Sequence, residues 1–190
     1  LITIFLFPQT NNIKEAFRLA AFQTATIMST TGFATADYEL WLPAAQLVLF
    51  FLMFVGGSSG STSGGVKVIR WVILGKQMHN EAKQMLHPHG VFSIRLNGEV
   101  GRKDVIYNVS AFFFLYFMLL VFTTFIVAGS GVDILTSFTT ALSTVGNIGP
   151  GFGLIGPTEN MGFFTDGVKW WLCFAMIAGR LELYTMLLFL

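Results

Sequence analysis

Long apolar runs separated by short polar or Gly/Ser/Thr-rich breaks set the layout of this chain. Residues 1–7 are apolar and are closed by Pro8 and the polar stretch 9–12, the pattern of the last turns of a helix. Residues 14–28 place Phe17, Ala20, Ala21 and Ala25 at helical spacing. A helix of that length measures about 22 Å, whereas a span needs about 20 residues. Followed directly by Ser29-Thr30-Thr31-Gly32-Phe33, it predicts a re-entrant helix that descends partway and stops. Residues 34–40 lead back to the surface. Trp41 and Pro43 then open a second helix, which meets a ten-residue Gly/Ser/Thr insert at 56–65 and resumes at 66–74. As one straight helix 41–74 would measure about 50 Å, too long for a hydrocarbon core of about 30 Å. The insert therefore breaks the helix near mid-membrane. Residues 105–128 are uncharged and mostly apolar, the clearest spanning helix. A second short helix is predicted at 134–142, a second Ser/Thr-Gly segment at 143–150, and a last helix at 170–190.

Composition turns this pattern into a class. The 190 residues are 54% hydrophobic and only 11% charged, against about 25% charged in soluble domains. The expected fold is an all-α integral membrane protein, with membrane lipid as its surroundings. The net charge is +1 and no basic run is long enough to track phosphates, so nucleic acid is not an expected partner. Lys67, Arg70, Lys76, Lys83, Arg95, Arg102 and Lys103 are seven of the eleven Lys and Arg residues. They lie in or beside residues 75–104, which makes that loop cytoplasmic by the positive-inside rule. The two short helices then enter from the outer side. The single cysteine, Cys173, excludes an internal disulfide and, in an apolar run, is expected to be a small buried hydrophobe. The chain opens at Leu1 inside one apolar run and closes at Leu190 inside another, and is read as a piece of a longer membrane protein.

The order of short helix, Ser/Thr-Gly segment, outer loop and longer helix occurs twice. Ser29, Thr30 and Gly32 match Ser143, Thr144 and Gly146 at a constant offset of 114. Ser/Thr-Gly backbone at membrane depth can turn carbonyls toward a dehydrated cation, as in potassium-channel filters. The expected filter residues are Thr30, Thr31, Gly32, Thr144, Val145, Gly146 and Asn147. Gly32 and Gly146 are expected to take positive φ. The preceding helix C-termini aim partial negative charge at the same place. A potassium ion is then the substrate, bound at these residues only, and no cofactor is expected.

Gly60 and Gly65 have phosphate-loop separation, but Val66 stands where that motif requires Lys, which excludes a nucleotide site. Arg180 lies near the centre of the apolar run 170–190, where a charge costs at least about 2.5–3.5 kcal/mol. It should therefore face a pore or a partner, and Glu182, two residues on, does not face it. His79, His87 and His89 lack further ligands nearby, so no metal is assigned to them. Asp37, Glu39, Glu159 and Asp166 are either solvated loop charges or a cation-concentrating mouth. No nucleophile–base set can be assembled, so no enzyme is expected.

Several segments together carry a family resemblance. They are Ser29 to Phe33, the broken-helix stretch up to Arg70, His87-Pro88 through Arg95-Leu96-Asn97-Gly98, Thr144-Val145-Gly146-Asn147, and Ala178-Gly179-Arg180-Leu181-Glu182. Spread over most of the chain in this order, they resemble the Trk/Ktr/HKT superfamily of potassium transporters, in particular the C-terminal half of the bacterial Trk-type translocating subunit. The resemblance implies a pseudo-fourfold, channel-like pore of repeated helix, re-entrant pore helix with filter, and helix. Only two of its four units are present: the third at 1–74 (pore helix 14–28, filter 29–33, broken helix 41–74) and the fourth at 105–190. It makes Gly56, Gly57, Ser58, Ser59, Gly60, Ser61, Thr62, Ser63, Gly64 and Gly65 an intramembrane gate beneath the filter, with Arg180 against it at the constriction. It also implies a homodimer, a cytoplasmic nucleotide-binding regulatory ring and potassium uptake across the bacterial inner membrane. Two alternatives are a broken-helix secondary transporter for another solute and a non-conducting scaffold subunit. The first needs an ionisable coupling residue at mid-membrane beside the broken helix; Arg180 and Glu182 stand in the last helix, but no Asp or Glu stands beside 56–65. The second leaves the repeat unexplained.

Overall fold

The structure, a computed structural model, describes residues 1–58, 60–87, 95–96, 99–100 and 103–180. Ser59, His89, much of the predicted loop 75–104, and the 181–190 end of the last helix with Glu182 lie outside the described residues. The described elements are helical apart from one two-residue antiparallel pairing, β1 (Arg95–Leu96) with β2 (Glu99–Val100), and one isolated bridge, Val55 with Val66. Seven helices follow in order among the described residues: α1 Ile2–Thr10, α2 Ile13–Met28, α3 Pro43–Leu52, α4 Val68–Leu86, α5 Lys103–Ala128, α6 Ile134–Val145 and α7 Asp166–Arg180.

Local chemistry explains where each begins and ends. Asn11 takes a left-handed conformation (φ 51°) to close α1, and the Asn12 side chain then accepts the Lys14 N–H to open α2. Pro43 occupies the first turn of α3, where its missing N–H costs nothing. Asp133 caps α6 by accepting the Thr136 N–H at 3.1 Å. Asp166 in the first turn of α7 complements its dipole. Helix α5 has the length and apolarity to cross a membrane; α3 and α6 are apolar but shorter.

Several boundaries differ from expectation: α7, for one, begins at Asp166 rather than 170. Helix α4 does not stop at residue 74 but runs on to Leu86. Residues 75–86 are polar yet rich in strong helix formers such as Lys76, Gln77, Glu81, Ala82 and Lys83, and polarity ends a membrane segment without ending a helix. Helix α6 continues three residues past 142, through Ser143, Thr144 and Val145. The Thr144 hydroxyl does not oppose the helix because it is used inside it: Thr144 Oγ1 donates to the Thr140 carbonyl at 2.7 Å, as Thr140 Oγ1 does to Thr136 at 2.6 Å.

Chain order repeats in space. Helix α1 packs on α2 and both reach α3; α5 packs on α6 and both reach α7. One buried cluster unites the two sets, joining Leu6, Ala20, Ile27 and Leu49 with Leu120, Leu142, Val145 and Ala178. On α7, Cys173 is exposed rather than buried as expected, while Gly179 lies against the backbone of α6. A Cβ there would overlap the Val145 carbonyl, with the carbonyl carbon 2.9 Å away. Gly179→Ala is expected to lower stability by about 1–3 kcal/mol, the usual cost of overpacking. Gly167→Ala, whose Cβ would meet nothing within 4 Å, should not. Thermal unfolding in detergent separates the two.

Candidate functional site

Helices α2 and α6 end in the same way. Ser29 N–H donates to Ala25 O, Thr30 N–H to Ile27 O, and Thr31 N–H to Thr26 O at 3.0 Å. At the second end Gly146 N–H donates to Leu142 O, Asn147 N–H to Thr144 O, and Ile148 N–H to Ser143 O at 2.8 Å. The left-handed residues correspond too: Thr30 (φ 54°) with Asn147 (φ 52°), and Gly32 (φ 80°) with Gly149 (φ 110°). These equivalences run at an offset of 117, not 114. The sequence register, drawn on the Ser-Thr identity, is three residues out.

That shift corrects part of the expected site. Thr144 and Val145 lie in the last turn of α6 and are buried, at 2% and 0% exposure. Gly146 is a right-handed C-cap (φ −76°), so it does not take the positive φ expected of it. Its place is taken by Gly149, preceded by Asn147 and Ile148. Thr30, Thr31, Gly32 and Asn147 do sit in the two turns. The missed residues, Ile148 and Gly149, had a usable signal: the second glycine of Gly146-Asn147-Ile148-Gly149 matches Gly32 once each glycine is counted from its helix end.

The two turns meet backbone to backbone. A Cβ added to Gly149 would stand 3.0 Å from Gly32 Cα, and one added to Gly32 would stand 2.8 Å from the Ile148 carbonyl oxygen. Only glycine allows this approach, and both glycines also need a φ that L side chains rarely adopt. Asn147 Nδ2 donates to Met176 O at 2.9 Å, tying the second turn to α7.

The insert 56–65 lies against both turns. Gly64 N–H donates to Thr30 Oγ1 at 3.1 Å, while the Gly64 Cα faces the Gly146 carbonyl and Asn147. The segment is pinned at its base by the Val55–Val66 bridge, with Gly56 N–H donating to Val66 O at 2.9 Å. Inside it, Ser63 Oγ accepts from Gly57 N–H at 2.9 Å and from Ser61 Oγ at 3.0 Å. Glycine is needed sterically at Gly56, where a Cβ would lie 2.5 Å from the Gly64 carbonyl. A cavity of about 210 Å³ adjoins the insert, lined by Ser61, Thr62, Ser63, Gly65, Lys67, Arg70 and Arg180. Arg180 thus shares a cavity with the insert, together with two further cationic side chains. The Arg70 guanidinium stacks 3.8 Å above the Phe112 ring.

Tyr38 and Glu39 clamp the loop after the first turn to the loop after the second. Tyr38 is fully buried and its hydroxyl donates to Gly151 O at 2.6 Å. Burial, and then the Glu39 and Asp37 charges, push its ionisation upward. Glu39 accepts the Gly153 N–H, and Asp37 accepts the Glu39 N–H at 3.0 Å. Both carboxylates therefore hold loops in place. Glu159 and Asp166 are exposed. Asp133 is held below the usual carboxylate range first by the Thr136 hydroxyl and then by its backbone N–H.

With this geometry in place, comparison with known proteins is informative. Residues 9–190 match the family model described as TrkH, cation transport protein. The chain is 35% identical over its whole length to the Trk system potassium uptake protein TrkI of Halomonas elongata, covering 39% of that protein. It is 37% identical over 93% of its length to TrkG of Escherichia coli K12, covering 36% of it. The crystal structure of the potassium transporter TrkH from Vibrio parahaemolyticus aligns with the whole chain at a TM-score of 0.90 and 34% identity, covering 40% of that chain. This chain therefore spans about two fifths of the length of such relatives, and it belongs to the TrkH family of cation transport proteins.

Proposed function

We propose that the two turns are two walls of a potassium-selective filter, in a protein that takes up potassium through a channel-like pore. The observation that carries this is the contact of Gly32 with Gly149. Two helix ends of the same hydrogen-bond pattern present bare backbone at one point, where carbonyls can replace an ion's water. The walls are Thr30-Thr31-Gly32 and Asn147-Ile148-Gly149. The names of similar proteins, potassium uptake proteins and a potassium transporter, agree with this substrate.

Two walls do not close a pore, so two further units complete it, each again a helix, a re-entrant pore helix with its turn, and a helix. The insert 56–65 is the gate beneath the filter, since Gly64 touches both turns. Arg180 stands beside it and repels cations while the gate is shut. The protein lies in the bacterial inner membrane with the filter facing outward and the polar end of α4 inside. It works as a homodimer, regulated by a cytoplasmic nucleotide-binding ring.

The test is Rb⁺ and Na⁺ uptake by the full-length protein that carries this chain, in cells without potassium uptake of their own. Uptake should prefer Rb⁺. No Rb⁺ uptake from well-inserted protein, with its cytoplasmic partner supplied, would overturn the proposal. In the same assay Arg180→Ala is expected to raise basal Rb⁺ flux several-fold in the absence of the partner. Unchanged flux would remove Arg180 from the gate.

A further inference from the structure

The two turns share their backbone bonds but differ in what stands behind them. In the second, Ser143 Oγ donates to the Gly149 carbonyl at 2.5 Å, so that carbonyl is drawn back toward α6. The equivalent residue behind the first turn is Thr26, since Thr26 O accepts from Thr31 N–H just as Ser143 O accepts from Ile148 N–H. Thr26 also carries a hydroxyl, and it is 95% buried, at 5% exposure, yet its Oγ1 has no partner. Gln23, three residues earlier and so on the same helix face, is fully buried with neither amide atom partnered. Among the described residues no backbone N–H donates to the Gly32 carbonyl.

Buried polar groups are almost always hydrogen-bonded, and each exception calls for a reason. Three such atoms lie in one patch behind this turn, in an otherwise apolar cluster with Ala20 and Ile27. At the matching position of the other helix, the same chemical group holds a glycine carbonyl.

Resting on the filter proposed above, we infer that the hydroxyl at this helix position sets the direction of the glycine carbonyl in its own turn. Ser143 is a positioning residue that holds the Gly149 carbonyl back from the ion path. Thr26 offers the Gly32 carbonyl the same seat without filling it, leaving that carbonyl free to exchange between the seat and a passing cation. The two walls are therefore unequal, one fixed and one adjustable. Because selectivity depends on how many carbonyls face the ion and how freely they move, Ser143 and Thr26 are determinants of cation preference that never touch the ion.

The experiment compares Rb⁺/Na⁺ uptake ratios of the full-length protein carrying Ser143→Ala, Ser143→Thr, Thr26→Val or Thr26→Ser, with membrane amounts measured for each. Ser143→Ala frees one carbonyl and Thr26→Val removes the alternative seat of the other. Each should shift the ratio by a factor of about 2–10, the worth of one hydrogen bond. The variants that retain a hydroxyl should keep the wild-type ratio. Ratios unchanged in both hydroxyl-free variants, or shifted equally by the conservative ones, would overturn the inference. A wild-type protein without Rb⁺ preference would instead remove the filter itself, and that is read first. If Ser143→Ala fails to reach the membrane, the near-isosteric Thr26→Val decides alone: a shifted ratio supports the inference and an unshifted one overturns it.

Discussion

Gly149→Ala in the full-length protein is expected to abolish the preference for Rb⁺ over Na⁺, whereas Gly146→Ala is expected to preserve it. Gly149 has φ 110°, which an L side chain takes only under strain, and its Cβ would press on Gly32 Cα at 3.0 Å. A backbone held in such a region costs about 1–3 kcal/mol, or a factor of about 5–150 in the population of the native turn. The contact with Gly32 adds to this and transmits the shift to the other wall. Gly146 is right-handed, so alanine adds no such strain there. Its Cβ would meet Leu142 O at 2.8 Å and the Ile148 side chain at 3.1 Å, a packing cost borne by the end of α6. Selectivity lost at 146 and kept at 149 would restore the offset of 114 and contradict the turn geometry.

The second large effect is expected at the gate. Gly64→Ala places a Cβ against the Gly146 carbonyl and 2.9 Å from Asn147 Cβ. The φ of Gly64 is not in the glycine-favouring range, so alanine acts there through space alone. Backing the insert away from the turns also breaks the Gly64 N–H bond to Thr30 Oγ1. Overpacking of about 1–3 kcal/mol, falling on the closed arrangement alone, raises the open population by a factor of about 5–150. Basal Rb⁺ flux without the cytoplasmic partner should rise accordingly. Gly60→Ala is the control, because its Cβ would meet nothing within 4 Å. Equal flux in both variants would mean that the insert does not close the pathway.

Much of this architecture can be read in the sequence because apolar runs and glycine breaks are strong signals in a membrane protein. The uncharged run of α5 and the short helical pattern of α2 are found where expected, to within a residue or two. The break of the second helix at 56–65 follows from length alone, since no straight helix of that extent fits a bilayer. What the sequence hides is the end of α6. Ser143, Thr144 and Val145 look like turn residues by type, but Thr144 satisfies its hydroxyl on Thr140, one turn back, and stays helical. The identity that folds the two turns alike is the place of a positive-φ residue and a positive-φ glycine after each helix, not the Ser-Thr pair before them. That is why Asn147 can stand where Thr30 does: both visit the left-handed region in equivalent hydrogen-bond surroundings. Similarly, polarity disguised residues 75–86 as loop, although their side chains favour a helix that leaves the apolar layer. Arg180 was legible as a charge needing a special neighbour; its sharing a cavity with Lys67 and Arg70 depends on α4 and α7 both packing against α5, which no local pattern encodes.

The most direct test of the filter is anomalous scattering from Rb⁺ in crystals of the full-length protein. The account predicts a peak beside the contact of Gly32 and Gly149, bounded by backbone oxygens of the two turns. A protein that transports Rb⁺ but shows ordered Rb⁺ elsewhere and none between these turns would contradict it.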